Sequence, residues 1–216
     1  MNKIVKRIIF YIFGMVVISY GVAFMFKAGY GLCSIDASSL SLKYLFDKLT
    51  IGEATIIINV LLVVISELIK PSLARLLAIP VSFAFGYALD GALWTLKWLE
   101  FNEITGPIFF TLGGFMTPFG SAFVVTANLP PLAGDTVVAS LLYRFKGNAG
   151  KAKLGAEIIF FVMALVFCIL ATILTDFKFT QGLSIYTIFL FGIASIFFPK
   201  FLSKVQGGYE YVQLVY

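Results

Sequence analysis

Gly29-Tyr-Gly-Leu-Cys-Ser-Ile-Asp36 and Asn128-Leu-Pro-Pro-Leu-Ala-Gly-Asp135 are the two stretches on which the fold turns. Both are rich in helix-breaking residues, both end on an aspartate, and the two aspartates lie 99 residues apart. Moving outward at that spacing, Gly14, Gly21, Ala23, Phe24 and Ala28 fall on Gly113, Gly120, Ala122, Phe123 and Ala127. Ser41, Leu42, Tyr44 and Phe46 fall on Ser140, Leu141, Tyr143 and Phe145. Ten of 33 positions agree, where a composition this apolar gives about three by chance. The chain reads as an internal duplication.

Around the two stretches lie six apolar runs: Ile8 to Phe26, Gly52 to Ile69, Leu73 to Leu96, Pro107 to Ala127, Leu154 to Thr175 and Leu183 to Phe201. Each is long enough to cross a hydrocarbon core of roughly 30 Å at 1.5 Å per residue. With 60% hydrophobic and 12% charged residues, a soluble domain is excluded. Three spans per repeat is an odd number, so the second repeat must enter the membrane with the opposite polarity. The expected fold is all-α integral membrane: six transmembrane helices as two inverted three-helix repeats, residues 1–103 and 104–204, with a cytoplasmic tail at 205–216. Counted on alternate sides of the spans, eleven Lys and Arg fall on one side and five on the other. Positive charge stays inside, so both termini are expected in the cytoplasm of a bacterial cell, with the protein in the inner membrane.

Between the first and second spans of each repeat, residues 29–50 and 128–150 are too polar to cross a bilayer. They still carry helical apolar spacing, Leu42, Leu45, Phe46, Leu49 and Val138, Leu141, Leu142, Phe145. Each predicts a re-entrant amphipathic helix, with Asp36 or Asp135 as its N-cap. Irregular backbone at that depth survives only where protein or a watery cavity satisfies its polar groups.

The run Gly29 to Asp36, Thr50-Ile-Gly52 opening the second span, Pro80-Val-Ser-Phe-Ala-Phe-Gly-Tyr-Ala-Leu-Asp90 in the third, and Asn128 to Asp135 with Glu157 in the second half resemble the YczE/YyaS/YitT group of small bacterial membrane proteins. The likeness covers nearly the whole chain. It implies the same multi-pass architecture and supplies no reaction.

Histidine is absent, which removes the usual metal ligand and general base. No phosphate-binding loop or nucleophile elbow is present, and Cys33 and Cys168 form neither a disulfide framework nor a Cys-x-x-Cys site. The chain is expected to be no enzyme, to hold no metal or cofactor, and to leave no room for a nucleic-acid-binding domain. Its partners are the lipid bilayer and a small solute or ion, and a homo-oligomer is compatible with the sequence.

Candidate solute or ion ligands are Asp36, Asp135, Asp90, Glu157 and Asn59. Asp36 and Asp135 read equally as a converging midplane site or as simple helix caps. Asp90 lies about 9 Å inside the third span by helix rise, where a carboxylate is expensive. Ser82, Gly86 and Asp90 share a helix stripe that admits a close neighbour, expected to be the stretch Gly29 to Asp36. Glu157 enters the fifth span, with Asn59 opposite it in the second at a shift of 98, and pairing of Glu157 with Lys153 is the plain alternative. Helix starts already occupied by Asp disfavour strong anions. The expected function is secondary transport of a small polar or cationic solute or ion, with the proton as a coupling ion. The alternatives are a substrate-binding membrane subunit of a larger transporter, or an accessory or regulatory membrane protein without transport.

Overall fold

The computed structural model describes residues 3–184. In chain order these form α1 (Lys3–Ala28), α2 (Ser34–Leu45), α3 (Ile51–Ile69), a 3-10 turn (Leu73–Leu77), α4 (Ala78–Thr95), α5 (Thr105–Thr126), α6 (Ala133–Arg144), α7 (Ala149–Leu174) and α8 (Phe179–Gly182). Among the described residues, five helices are long and apolar enough to cross a membrane. Ile158, Val162, Val166, Ile169 and Ile173 point away from the protein along one face of α7. A continuous apolar face of this kind belongs in lipid, so the chain is a multi-pass membrane protein. The expected sixth span, apart from its first two residues, and the 205–216 tail lie outside the described residues.

The third span is interrupted where the sequence predicts one helix. Proline removes one backbone donor and crowds the carbonyl four residues earlier. With Pro80 in place the chain takes a 3-10 turn over Leu73–Leu77 and restarts at Ala78, so that Pro80 falls in the first turn of α4. In contrast, α7 begins five residues before the apolar run does, because the Asn148 side chain accepts from the Lys151 backbone N–H and caps it.

Helices α1 and α5 pack through glycine. A Cβ placed on Gly14 would meet the Gly120 carbonyl oxygen at 2.7 Å, and one on Gly120 would meet the Gly14 oxygen at 2.7 Å. Gly21 and Gly113 stand in the same relation. The two helices therefore run antiparallel, with backbones closer than any side chain allows. Both end the same way: Gly29 and Asn128 each take a left-handed conformation, φ 73° and 56°. Asparagine tolerates that region better than other residues with a Cβ.

The two short helices lie among the long ones. Helix α2 packs on α3 and α7, and α6 on α3 and α7. The start of α6 touches Phe160 through Gly134, and its later residues Leu141 and Phe145 touch Gly155. Along α7, then, α6 descends from the middle of the helix toward its N-terminal end. Ser41, near the end of α2, meets Cys168 nearer the other end of α7.

Helix α2 departs from the expected amphipathic form. Ser34 and every residue from Asp36 to Leu42 are buried. Its small residues permit packing on all faces, and the hydroxyls of Ser38, Ser39 and Ser41 donate to the carbonyls of Ser34, Ile35 and Ala37 four residues earlier. Serines satisfied this way can be enclosed without losing a hydrogen bond. The expected apolar face also runs past the helix: Phe46 is exposed and Leu49 lies in the following turn.

Candidate functional site

The approach to α2 is held by backbone bonds to a distant part of the chain. Leu32 N–H donates to the Gly182 carbonyl at 2.8 Å, and Ser184 N–H donates to the Leu32 carbonyl at 3.0 Å. Gly31, at φ 92°, makes the turn that brings Leu32 there. Cys33 follows in extended backbone as the N-cap, and Ser34 opens the helix.

Asp36 is thus the third residue of α2 and Asp135 the third residue of α6. This corrects the expectation that each aspartate is an N-cap. The caps are Cys33 and Leu132, which supply no side-chain cap bond, and the carboxylates sit one turn inside, where the helix dipole still favours negative charge.

Asp36 is 6% exposed, and its Oδ2 accepts from the Cys33 thiol at 2.7 Å. Burial pushes its pKa from the ordinary carboxylate range up to about 6, against a smaller downward pull from that thiol bond. Burial and the neighbouring Asp36 charge push the Cys33 thiol well above its usual value, and the Glu157 charge adds to the rise. Ser34 Oγ is buried with no hydrogen-bond partner among the described residues.

Asp135 Oδ2 is likewise buried and unpartnered among the described residues. Burial raises the Asp135 carboxyl, offset in part by the Lys153 ammonium. Its charge also reaches Tyr11 on α1, whose hydroxyl donates to the Pro130 carbonyl at 2.8 Å.

The two helix starts meet. A Cβ on Gly134 would lie 3.1 Å from Ile35 Cδ1, with the Phe160 ring at 3.8 Å behind it. Asp36 follows Ile35 and Asp135 follows Gly134, so each acid is one residue from the contact. Glu157 is one turn from Phe160 on α7, pairs with Lys153 at 3.1 Å, and is near enough for its charge to act on Cys33. Asn59 is buried on α3, the helix against which α6 packs.

Asp90 sits elsewhere. Its Oδ2 accepts from Thr50 Oγ1 at 2.6 Å and its Oδ1 from Gly52 N–H at 2.7 Å, closing the N-terminus of α3. Thr50 and Glu53 complete a capping box there. The close neighbour of the Ser82, Gly86, Asp90 stripe is therefore the first turn of α3, with Gly52 against Gly86, and not the stretch Gly29 to Asp36.

The structure thus brings together the helix starts that carry Asp36 and Asp135, with Glu157 on the neighbouring α7, and leaves Asp90 as a cap. Sequence reasoning passed over Cys33, Ser34 and Tyr11. The signal for Cys33 was its three-residue spacing from Asp36, which puts both on one side of a helix start. Chemically, the junction offers two buried carboxyls, a thiol donor and a free hydroxyl at two helix N-termini. An unmet buried polar group costs about 1–3 kcal/mol, which a proton or a bound polar group would relieve. No group of three or more metal-ligating side chains occurs among the described residues.

No curated protein and no solved structure matches the chain. Residues 5–198, by contrast, match the model of a family of unknown function, DUF6198, and the chain belongs to that family.

Proposed function

We propose that the protein is a secondary transporter of a small polar or cationic solute or ion, proton-coupled through Asp36 and Asp135, and built as two inverted repeats with α2 and α6 as re-entrant helices. The observation that carries this is the junction itself. The start of α2 from one half of the chain touches the start of α6 from the other, each carries a buried acid one residue from that contact, and the Ser34 hydroxyl and an Asp135 carboxyl oxygen lack partners among the described residues. Carboxyls raised by burial exchange protons closer to neutrality than exposed ones do.

The contacts support the repeat. Gly14 corresponds to Gly113 and Gly21 to Gly120, and the pairs that touch are Gly14 with Gly120 and Gly21 with Gly113. That crosswise pattern is what a two-fold axis produces. The packing of α2 on α7 and of α6 on α3 repeats it. Kinship with the YczE/YyaS/YitT group belongs to the same reading, on the residues that carry the resemblance.

The test uses purified protein in liposomes loaded with a pH-sensitive dye, challenged with a panel of amines, amino acids, polyols and inorganic cations. One class of solute should move protons across the bilayer, and Asp36→Asn and Asp135→Asn should abolish that flux. Flux unchanged in both variants would defeat the charged-site reading. Consistent co-purification with other membrane or ATP-binding subunits would point instead to a component of a larger transporter.

A further inference from the structure

A cavity of about 310 Å³ opens where α1 and α4 end and α3 begins. Among the described residues its lining includes Lys27, Lys43 and Gln181 and no acidic residue, with Phe26, Leu40, Tyr44 and Leu93 supplying apolar surface. We infer that this cavity binds an anionic group carried on a short apolar body, such as a small organic carboxylate or the head of an acidic lipid. The inference does not depend on transport, and it names a ligand class opposite in charge to that of the buried junction.

Both lysines have capacity to spare. Lys27 Nζ donates to the Leu96 carbonyl at 2.6 Å and the Lys97 carbonyl at 3.3 Å. An ammonium has three donors, so one remains. Lys43 Nζ lies 5.5 Å from the centre of the Tyr44 ring, and its carboxylate partner Asp47 is 3.9 Å away with a side chain 91% exposed. An ion pair that long and that wet neutralises little. The volume sits at the lower end of small-molecule sites, which are mostly apolar with a few placed polar groups.

The position adds meaning. Asp36, Leu40, Lys43 and Tyr44 occur at i, i+4, i+7 and i+8 and so share one face of α2. The Leu40 floor of the cavity is one helical turn, about 6 Å, from the Asp36 position. A molecule held by Lys43 would bind on the face of α2 that also carries Asp36.

The experiment measures thermal unfolding of the purified full-length protein in a neutral maltoside detergent, with hexanoate and hexylammonium as paired probes. Binding to the folded state raises Tm with concentration. Hexanoate should raise Tm and hexylammonium should not. Lys43→Gln should weaken the apparent hexanoate affinity about tenfold, the effect of losing roughly 1.4 kcal/mol, whereas Lys43→Arg should retain it. Abolition of the hexanoate shift by phosphatidylglycerol nanodiscs but not by phosphatidylcholine nanodiscs would support the site and identify a lipid as the source of the anion. No hexanoate shift in detergent, an equal shift with hexylammonium, or an unaltered Lys43→Gln response would overturn it. Should Lys43→Gln fail to fold, Leu93→Phe fills the same cavity from α4, and a hexanoate shift retained there would overturn the inference equally.

Discussion

Asp36 is a carboxyl whose folded pKa, about 6, lies above its ordinary value near 4. Between those values the folded state holds more protons than the unfolded one, so stability falls as pH rises through the interval and levels off above it. Two units correspond to about 3 kcal/mol at most. Thermal unfolding from pH 4 to 7.5 should show this decline in the parent protein and lose most of it in Asp36→Asn. The Cys33 thiol donates to the Asp36 carboxylate and lowers its pKa, so Cys33→Ala should shift the midpoint of the decline to higher pH. A midpoint unmoved in Cys33→Ala would deny the thiol its part. Asp90 behaves differently because its partners are the donors at the start of α3. Asp90→Ala should cost about 1.5–3 kcal/mol for each charged hydrogen bond lost, measured by denaturation, and leave solute-dependent proton flux intact in whatever protein still folds.

At the scale of elements, two glycines in the long helices make a paired test. Gly120 of α5 has no room, with the Gly14 backbone and the Ile18 side chain both within 3 Å of a Cβ, while Gly91 of α4 has nothing within 4 Å. Gly120→Ala should destabilise by about 1–3 kcal/mol through overpacking. Gly91→Ala should be neutral or gain about 0.5–1 kcal/mol from helix propensity. Equal Tm shifts in the two variants would contradict the α1 and α5 packing described above. These elements also show what the sequence could and could not tell. The five described spans were readable because long apolar runs have one structural meaning. The short helices were readable as helices, but the Asp36 and Asp135 registers slipped by three positions, since Cys33 and Leu132 are not residues that announce a cap. Nor could the spacing foresee that α2 would be enclosed on every side, which depends on serine hydroxyls turning back onto their own carbonyls. Asp90 was legible as an acid beside a close helix neighbour, but its partners at the start of α3 were not, because Gly52, which lets that turn come close, reads in the sequence only as the opening of a span.

For the whole molecule, the crosswise packing of α1 with α5, α2 with α7 and α3 with α6 means that neither half encloses its own short helix. Residues 1–103 or 104–216 expressed alone should be degraded or aggregated. The two co-expressed as separate chains should assemble and purify together in stoichiometric amounts, as read by affinity capture of one tagged half. Recovery of either half alone as a stable monodisperse species would contradict the interlocked arrangement.

The glycine contacts between α1 and α5 carry a historical implication as well. Gly14 against Gly120 and Gly21 against Gly113 are the contacts that a half-length polypeptide would make with a second copy of itself inserted upside down. On the inverted-repeat reading, the ancestor was a short gene whose product entered the bilayer in both directions, held there by too weak a charge bias to choose. Fusion of two copies would then have fixed one orientation for each half. It would also have freed the halves to diverge, as Gly29 has from Asn128 and Asn59 from Ile158, so that one face of an originally symmetric pair could acquire chemistry the other lacks.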